Sequence, residues 1–263
     1  MCLILIACQA HPEYPLVVAA NRDEYFARPS LPADFWSEAP QLLAGRDLQA
    51  GGTWLGINRQ GQFAALTNIR EPGVPAPTDL VSRGHLVSEF LTGTESAPHY
   101  LQHLQPERYN GFNLICGEIS RLHYFSNRNR GGDAVRLNTG IHGVSNAALN
   151  TPWPKLESGR RALQSCLAPG TPLCPDDLLP ILNHRQRPKD DQLPDTGVGI
   201  ELERMLSSRF IEGQTLGYGT RASTVLLVDN RGQVQFTEWS WDSDGHNCGR
   251  QDIDFTLHCA PLN

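Results

Sequence analysis

The chain has 263 residues, of which 40% are hydrophobic and 19% are charged, and its formal net charge is −6. This negative balance argues against nucleic acid or an anionic membrane surface as the main partner. No apolar run approaches the roughly 18 residues that a membrane span needs, so no span is expected. The seven cysteines include no Cys-x-x-Cys pair. That usage fits free thiols in a reducing compartment, and we expect a cytoplasmic protein.

Two short apolar segments open the chain, and both have the aliphatic, partly β-branched composition of buried strands. The first covers 2–8, and the second covers 16–20 and is followed by Asn21-Arg22-Asp23-Glu24. If the two strands pair antiparallel, the start of the first meets the end of the second. The sequence therefore predicts that the Cys2 thiol lies beside this polar cluster.

Cys2 is a candidate nucleophile because it follows Met1 directly. Removal of Met1 would give Cys2 a free α-amino group with a pKa of about 7.7–8.0, close to the thiol value of about 8.5. The amine can then act as the base for its own side chain, as in enzymes with a terminal-amine base. The alternative is that Cys2 is a small hydrophobic residue buried in a strand.

Proline and turn residues divide the first half of the chain. Three prolines predict an irregular loop over 28–40. A tight turn at 58–61 joins strands over 53–57 and 62–67 into a hairpin. A second proline-rich loop, 71–78, precedes a helix over 82–91 with Ser82 as its N-cap.

The second half contains further helices and strands. Helices are predicted over 100–104, 153–167, 176–183 and 199–210, and the segment from Thr151 to Lys155 is interpreted as a helix start rather than a site. Strands are predicted over 111–116, 122–125, 134–137, 141–145, 224–228 and 234–239. The order is not a βαβ alternation, so two antiparallel sheets covered by helices fit better than a parallel sheet. The chain has no repeat and no linker, which predicts one domain over 1–263.

A series of motifs then carries a resemblance to a known family. They are Asn21-Arg22-Asp23-Glu24, Gly51-Gly52-Thr53-Trp54-Leu55-Gly56, Leu66-Thr67-Asn68-Ile69-Arg70, Ser82-Arg83-Gly84, Gly143-Val144-Ser145-Asn146, Thr151-Pro152-Trp153-Pro154-Lys155 and Tyr218-Gly219-Thr220-Arg221. Together they resemble the NRDE family, the family of transport-and-Golgi-organisation protein 2. A more distant resemblance, from Gly56-Ile57-Asn58-Arg59-Gln60-Gly61 to Asn68, is to choloylglycine hydrolases and penicillin V acylases. That resemblance implies an α+β fold, the four-layer αββα sandwich of N-terminal-nucleophile hydrolases.

The acylase resemblance also implies roles for particular residues. Cys2 would be the nucleophile, and Asp23 would bind and orient its α-amino group. The oxyanion hole would be lined by Asn68 and Asn146, and Arg221 would stabilise charge near the nucleophile.

The acylase pattern has an arginine where this chain has Ala20. Alternation along the strand is expected to point Arg22 away from that place.

Two functions follow as hypotheses. The first is hydrolysis of an acyl amide or thioester through Cys2, which requires no cofactor. The second is a non-catalytic carrier of a hydrophobic anion, for which the family resemblance implies haem trafficking or acyl-CoA and lipid binding. In either case the predicted partner is a small acyl or haem-like molecule. Ligand contacts are predicted for Asn21, Arg22, Glu24, Trp54 and Arg70.

The positively charged side chains suggest one further cluster. Arg70, Arg83 and Arg221 would suit an anionic ligand if the fold brings them together. No metal site is predicted, because the nine histidines are scattered without metal-ligand spacing.

Overall fold

A computed structural model describes residues 2–73, 80–129, 132–168, 170, 172–213 and 216–258. Its strands are β1 Cys2–Cys8, β2 Leu16–Tyr25, β3 Ser30–Trp36, β4 Ala39–Asp47, β5 Leu55–Asn58, β6 Gln62–Asn68, β7 Phe112–Glu118, β8 Arg121–Ser126, β9 Val135–Arg136, β10 Gly140–Val144, β11 Tyr218–Val228, β12 Gln233–Trp241 and β13 Asn247–Thr256. Its helices are α1 Gly84–Thr92, α2 Ala97–Gln102, α3 Pro154–Cys166, α4 Pro175–Leu182 and α5 Ile200–Met205. None of the helices in the described ranges is long and apolar enough to cross a membrane.

The strands form two antiparallel sheets. The six-stranded sheet has the order β10-β1-β2-β11-β12-β13, and the seven-stranded sheet runs from β3 to β9 in chain order. Helices α3 and α4 pack on the six-stranded sheet, whereas α1 and α2 pack on the seven-stranded one. The four-layer αββα sandwich expected from the sequence is therefore confirmed.

Strand β1 contributes side chains to two hydrophobic cores, one on each of its faces. Ile4 and Ile6 lie in the core between the sheets, whereas Leu3 and Leu5 lie in the core beneath α3 and α4. All four side chains are 1% exposed or less. Burial on both faces explains why β1 is an apolar run rather than an alternating pattern.

The pairing of β1 with β2 confirms the predicted register at the start of the chain. Cys2 is directly opposite Arg22, so the first residue of β1 lies beside the polar end of β2. The predicted hairpin turn is also present, because the Gly61 amide donates to the Asn58 carbonyl at 3.1 Å. Gly61 has a φ of 82°, which a glycine adopts without strain.

The predicted loop over 28–40 is wrong, because β3 and the start of β4 occupy it. Pro32 is tolerated because β3 is the edge of its sheet, and its pairing with β4 is interrupted between Leu31 and Asp34. An edge strand needs fewer ladder hydrogen bonds, so a residue without an N–H fits there. The edge strand of the six-stranded sheet, β13, was not predicted, because its exposed, polar-rich sequence lacks an apolar run.

Two helix predictions need correction at their ends. The residue before α1 is Arg83, and neither it nor Ser82 caps the helix with a side chain. The helix predicted over 199–210 ends at Met205, because the backbone beyond it bonds to other parts of the chain. The Leu206 carbonyl accepts from Lys155, and the Phe210 amide donates to His184. The predicted loop over 71–78 lies largely outside the described residues.

Candidate active site

A cleft of about 430 Å³ opens where β1 begins and β2 ends. Seven of the residues predicted for the site line it: Cys2, Arg22, Asp23, Glu24, Trp54, Asn68 and Arg221. Both sheets contribute, because Trp54 and Asn68 come from the ends of the seven-stranded sheet and the others from the six-stranded one.

The Cys2 thiol is buried in the wall of this cleft, with 7% of the residue exposed. Burial raises its pKa above the ordinary value, and the nearby Asp23 carboxylate adds to that effect. Arg22 and a hydrogen bond from the Asp23 backbone act in the opposite direction. The resting thiol is therefore protonated, and it needs a base before it can attack a substrate.

Asp23 is held rigidly at the end of β2. Its Oδ1 accepts the Thr220 hydroxyl at 2.7 Å, and its carbonyl accepts the Tyr218 hydroxyl at 2.9 Å. The residue is 1% exposed, and burial raises the pKa of its carboxyl to about 6, against the opposing effects of Lys155 and Thr220. Asp23 is thus ionised at neutral pH but protonates in mild acid.

The expectation that strand alternation points Arg22 away from the place of Ala20 is wrong. The two residues are two positions apart, so they share a face of β2. Ala20 lies in the core between the sheets, and Arg22 lines the cleft opposite Cys2. The side chain of Arg22 has no hydrogen bond or ion pair with any residue that the structure describes. A guanidinium is therefore available on the nucleophile's own face of the sheet.

The two predicted oxyanion asparagines differ in their surroundings. Asn68 lines the cleft, and among the described residues its side-chain amide has no hydrogen-bond partner. Asn146 is 2% exposed, and its Nδ2 donates to the Asn68 carbonyl at 2.9 Å. The neighbouring Ser145 hydroxyl contacts the Cys2 carbonyl at 2.9 Å. Asn68 is therefore free to bind a ligand, whereas Asn146 ties the end of β6 to the segment that contacts Cys2.

Two further arginines line the cleft without a carboxylate within 4 Å in the described parts of the chain. Arg83 donates to the Gly111 carbonyl at 3.0 Å, and Arg221 donates to the carbonyls of Tyr25 and Arg28. With Arg22 they make three cations whose charge is not neutralised by an ion pair. Such a set favours an anionic ligand.

Asn21 and Arg70, predicted as ligand contacts, do not line the cleft. Asn21 is on the opposite face of β2 from Arg22, fully buried, and its Nδ2 donates to the Leu182 and Arg209 carbonyls at 2.9 and 2.8 Å. Arg70 forms a buried ion pair with Glu203 at 2.7 Å. The suggested cluster of three arginines therefore does not form, because Arg70 lies apart from the other two.

Two buried charged residues near the site were not predicted. Lys155, interpreted as part of a helix start, is 5% exposed, and burial lowers the pKa of its ammonium to about 8. Glu238 is 4% exposed and accepts the Ala33 amide at 2.8 Å, and burial raises its pKa. The sequence carried a signal for Glu238, because it continues the alternation of Val234 and Phe236 on the buried face of β12.

One group outside the cleft has the composition of a cation site. Ligand atoms of Asp242, Asp244 and His246 lie within 4.8 Å of one another in the turn between β12 and β13. The Asp242 carboxylate accepts the backbone amides of the other two at 3.0 and 2.8 Å. These contacts are those of an exposed turn, and we assign no metal to it.

The chain also aligns with solved structures at low identity. An N-acylethanolamine-hydrolyzing acid amidase ortholog from Caenorhabditis elegans aligns with a TM-score of 0.48 and 12% identity, covering 86% of this chain and 92% of that one. Penicillin V acylase from Agrobacterium tumefaciens aligns with a TM-score of 0.40 and 12% identity, covering 90% of this chain and 82% of that one.

Protein sequences that the chain matches have much higher identity to it than these solved structures do. The chain is 37% identical to the Transport and Golgi organization protein 2 homolog of Homo sapiens, covering 98% of this chain and 99% of that protein. It is 30% identical to Transport and Golgi organization protein 2 of Drosophila melanogaster, covering 90% of this chain and 91% of that protein. The family model described as Transport and Golgi organisation 2 matches residues 1–243. The resemblance carried by the motifs is confirmed, and the chain belongs to the Transport and Golgi organisation 2 family.

Proposed function

We propose that the protein hydrolyses an acyl amide or thioester, with Cys2 as an N-terminal nucleophile. The observation that carries this proposal is the register of β1 and β2. It puts the Cys2 thiol in the wall of a cleft that is also lined by Arg22, Asp23 and Asn68. A thiol, a carboxylate beside it and an amide donor at one cleft are the groups that acyl transfer requires.

The reaction proceeds in two stages once Met1 has been removed. The α-amine of Cys2 takes the thiol proton, and the sulfur attacks the substrate carbonyl carbon. The oxygen then carries a negative charge, which the Asn68 amide stabilises. The intermediate collapses to a thioester, and the amine or thiol leaving group takes the proton from the α-amine. Water then cleaves the thioester, releasing the acid and restoring the thiol.

Each charged group has a role in this scheme. Arg22 favours the thiolate, because a cation beside a thiol lowers its pKa. Asp23 orients the α-amine and does not activate it, since a carboxylate favours the protonated amine. Arg83 and Arg221 would bind an anionic part of the substrate. A free catalytic thiol also suits the reducing cytoplasm, and no disulfide forms among the six cysteines that the structure describes.

A second candidate is a carrier of a hydrophobic anion, such as an acyl-CoA or haem. The three cleft arginines without carboxylate partners favour it, since they suit phosphate or propionate groups. Haem iron is commonly ligated by a cysteine thiolate. Among the described residues that line the cleft, Cys2 and Cys248 could supply such a ligand. In this function the Asn68 amide would have no special role.

A screen of acyl amides, acyl-CoAs and haem separates the two candidates. The proteins to compare are the wild type, Cys2→Ala and Cys248→Ala, the last removing a second thiol that lines the cleft. A hydrolase loses turnover in Cys2→Ala, keeps binding, and is little affected by Cys248→Ala. If nothing turns over and a ligand binds wild type and Cys2→Ala equally, the catalytic assignment of Cys2 is wrong.

The intact mass of the protein from its native host tests maturation. The expected mass corresponds to a chain that begins at Cys2. A mass that retains Met1 would remove the amine-base mechanism, and the carrier would then be the better description.

A further inference from the structure

Arg83 is the residue before α1, and it lines the cleft from the side of the seven-stranded sheet. Its backbone is held by the close approach of two segments. The Thr53 amide donates to the Gly84 carbonyl at 3.2 Å, and a Cβ on Gly52 would lie 2.4 Å from the Gly84 carbonyl carbon. Because Gly52 has no side chain, the start of α1 packs directly on the backbone at 52–53. This packing fixes the point from which the Arg83 side chain extends.

The guanidinium of Arg83 is anchored next to Asn68. Its Nη1 donates to the Gly111 carbonyl at 3.0 Å, and the same oxygen accepts the Ile69 amide at 2.9 Å. Because both distances end on one oxygen, Nη1 lies no more than 5.9 Å (3.0 Å plus 2.9 Å) from the backbone nitrogen of Ile69. Ile69 follows Asn68 directly, and Asn68 and Arg83 both line the cleft. A cation and an amide donor are therefore neighbours on one wall.

A series of polar contacts links this wall to the backbone of Cys2. The Ser145 hydroxyl lies 2.9 Å from the Cys2 carbonyl oxygen and 3.1 Å from Asn146 Oδ1. Asn146 Nδ2 donates to the Asn68 carbonyl at 2.9 Å. Burial lowers the pKa of Arg83, and among the groups that oppose this effect Cys2 acts most strongly, which agrees with the placement. The fold thus holds the guanidinium on the same side of the cleft as the candidate nucleophile.

The charge of Arg83 is left for a ligand. A guanidinium has five N–H donors, and the Gly111 carbonyl is the partner that the described structure gives to Arg83. Glu71 lies beside Gly111, where a Cβ would be 2.5 Å from Glu71 Oε2. This carboxylate is engaged by Arg128, whose Nη2 donates to Oε2 at 3.0 Å. The fixed, largely unused fork of Arg83 suits a carboxylate, which it can bind through two hydrogen bonds.

We propose that Arg83 is a specificity-determining residue whose guanidinium forms, with the Asn68 amide, an anion subsite beside Cys2. The inference rests on the proposed function for the role of Cys2, and it narrows the class of substrate. The preferred substrate carries a carboxylate within a few bonds of the carbonyl that Cys2 attacks, because the anchored guanidinium reaches only groups near Asn68. The phosphates of an acyl-CoA are many bonds from its thioester carbonyl, so an acyl-CoA does not meet this requirement.

Two alkylating reagents test the subsite without a substrate. Iodoacetate and iodoacetamide have nearly the same size and the same leaving group, and they differ in one carboxylate. Both react with the same thiolate, so the ratio of their rates at Cys2 does not depend on the thiol pKa. The ratio reports a cation near the attacked carbon, whereas a general structural change alters both rates. Mass spectrometry of the Cys2 peptide measures the two rates.

The proteins to compare are the wild type, Arg83→Met, Arg83→Gln and the matched control Arg108→Met. Arg108 is exposed and outside the cleft lining, although its carbonyl accepts the amide of Val81, so its loss changes the net charge equally. Arg83→Gln keeps a donor for the Gly111 carbonyl and serves if Arg83→Met does not fold.

We expect the ratio of iodoacetate to iodoacetamide rates to fall about threefold or more in both Arg83 variants, the effect of one unit charge about 6 Å away in a water-like medium. The ratio should stay at the wild-type value in Arg108→Met. An unchanged ratio in a folded Arg83 variant, or an equal fall in Arg108→Met, would overturn the proposal.

Turnover, if the substrate screen finds it, gives a separate readout. Acyl amides are compared in pairs in which a carboxylate near the scissile bond is replaced by a carboxamide, on the acyl side in one pair and on the amine side in another. Wild type should have the higher kcat/KM for the carboxylate member of at least one pair, and Arg83→Met should reduce this preference about threefold or more. An equal preference in the two proteins would overturn the proposal. If nothing turns over and the alkylation ratio still falls, the proposed hydrolysis fails and the anion subsite stands.

Discussion

Replacing Asn68 by alanine should slow turnover without unfolding the protein, whereas replacing Asn146 should affect both properties. The Asn68 amide lines the cleft and has no hydrogen-bond partner among the described residues. The Asn146 amide is buried and donates to the Asn68 carbonyl at 2.9 Å. The two residues therefore test separate parts of the proposed oxyanion hole.

The expected magnitudes follow from those contacts. Losing one oxyanion donor costs about 10²–10³ in kcat, or about 2.7–4 kcal/mol of barrier. Because nothing in the described structure depends on the Asn68 amide, Asn68→Ala should change the free energy of unfolding by about 0.5 kcal/mol or less. Asn146→Ala removes the hydrogen bond to the partly buried Asn68 carbonyl, which costs about 0.5–1.5 kcal/mol of stability. It also loosens the end of β6, so kcat should fall as well.

The assay combines single-turnover kinetics with urea unfolding on both variants and a control. Asn110→Ala is the matched control, because Asn110 also lines the cleft but has no assigned role in the chemistry. Its kcat should stay within about twofold of wild type. The reasoning is refuted if Asn68→Ala keeps the wild-type kcat, or if Asn146→Ala unfolds at the wild-type urea concentration.

Three further experiments test the charges and packing around the cleft. Arg22→Ala should slow iodoacetamide alkylation of Cys2 near neutral pH more than Arg221→Ala does, because Arg22 lies directly opposite Cys2 and lowers the pKa of its thiol. Equal alkylation rates of the two variants, measured by mass spectrometry, would contradict this. Burial raises the pKa of the Glu238 carboxyl above 4.5. The protonated carboxyl therefore makes its full contribution to stability below pH 4.5, and this contribution is lost as the pH rises through the pKa of the folded state. Glu238→Gln should therefore gain stability relative to wild type at pH 8 but not at pH 4, and urea titrations giving an equal difference at both would exclude it. Gly52→Ala would put its Cβ 2.4 Å from the backbone at the start of α1, which should cost about 1–3 kcal/mol; a wild-type melting temperature would show that this contact is not rigid.

The sequence by itself determined the local elements and the start of the site. Strands β1 and β2 were predicted because their apolar runs are short, aliphatic and bounded by polar residues. Their antiparallel pairing follows from adjacency in the chain, so the meeting of Cys2 with the end of β2 was predictable. Helices α1 and α3 and the turn at Gly61 were predicted for the same reason, since periodicity and turn chemistry are properties of neighbouring residues.

Only the tertiary structure shows which layer each face of a strand contacts and which strands lie at the edges of the sheets. Asn21 and Arg22 are neighbours in one motif. The side chain of Asn21 lies on the helix side of β2, whereas Arg22 lines the cleft. Likewise, the three prolines over 28–40 favour a loop, and only the sheet shows that β3 is an edge strand that tolerates Pro32. A local pattern does not show which of its residues will face which layer.

Long-range contacts account for the rest of the site. Lys155 is 132 positions from Asp23 (155 − 23), and nothing in its helix-start sequence shows that its ammonium will be buried. Arg70 could not be separated from Arg83 by sequence, because only the fold pairs it with Glu203. Charges on distant segments meet through the packing of both sheets and their helices, and their burial there is what shifts their pKa values.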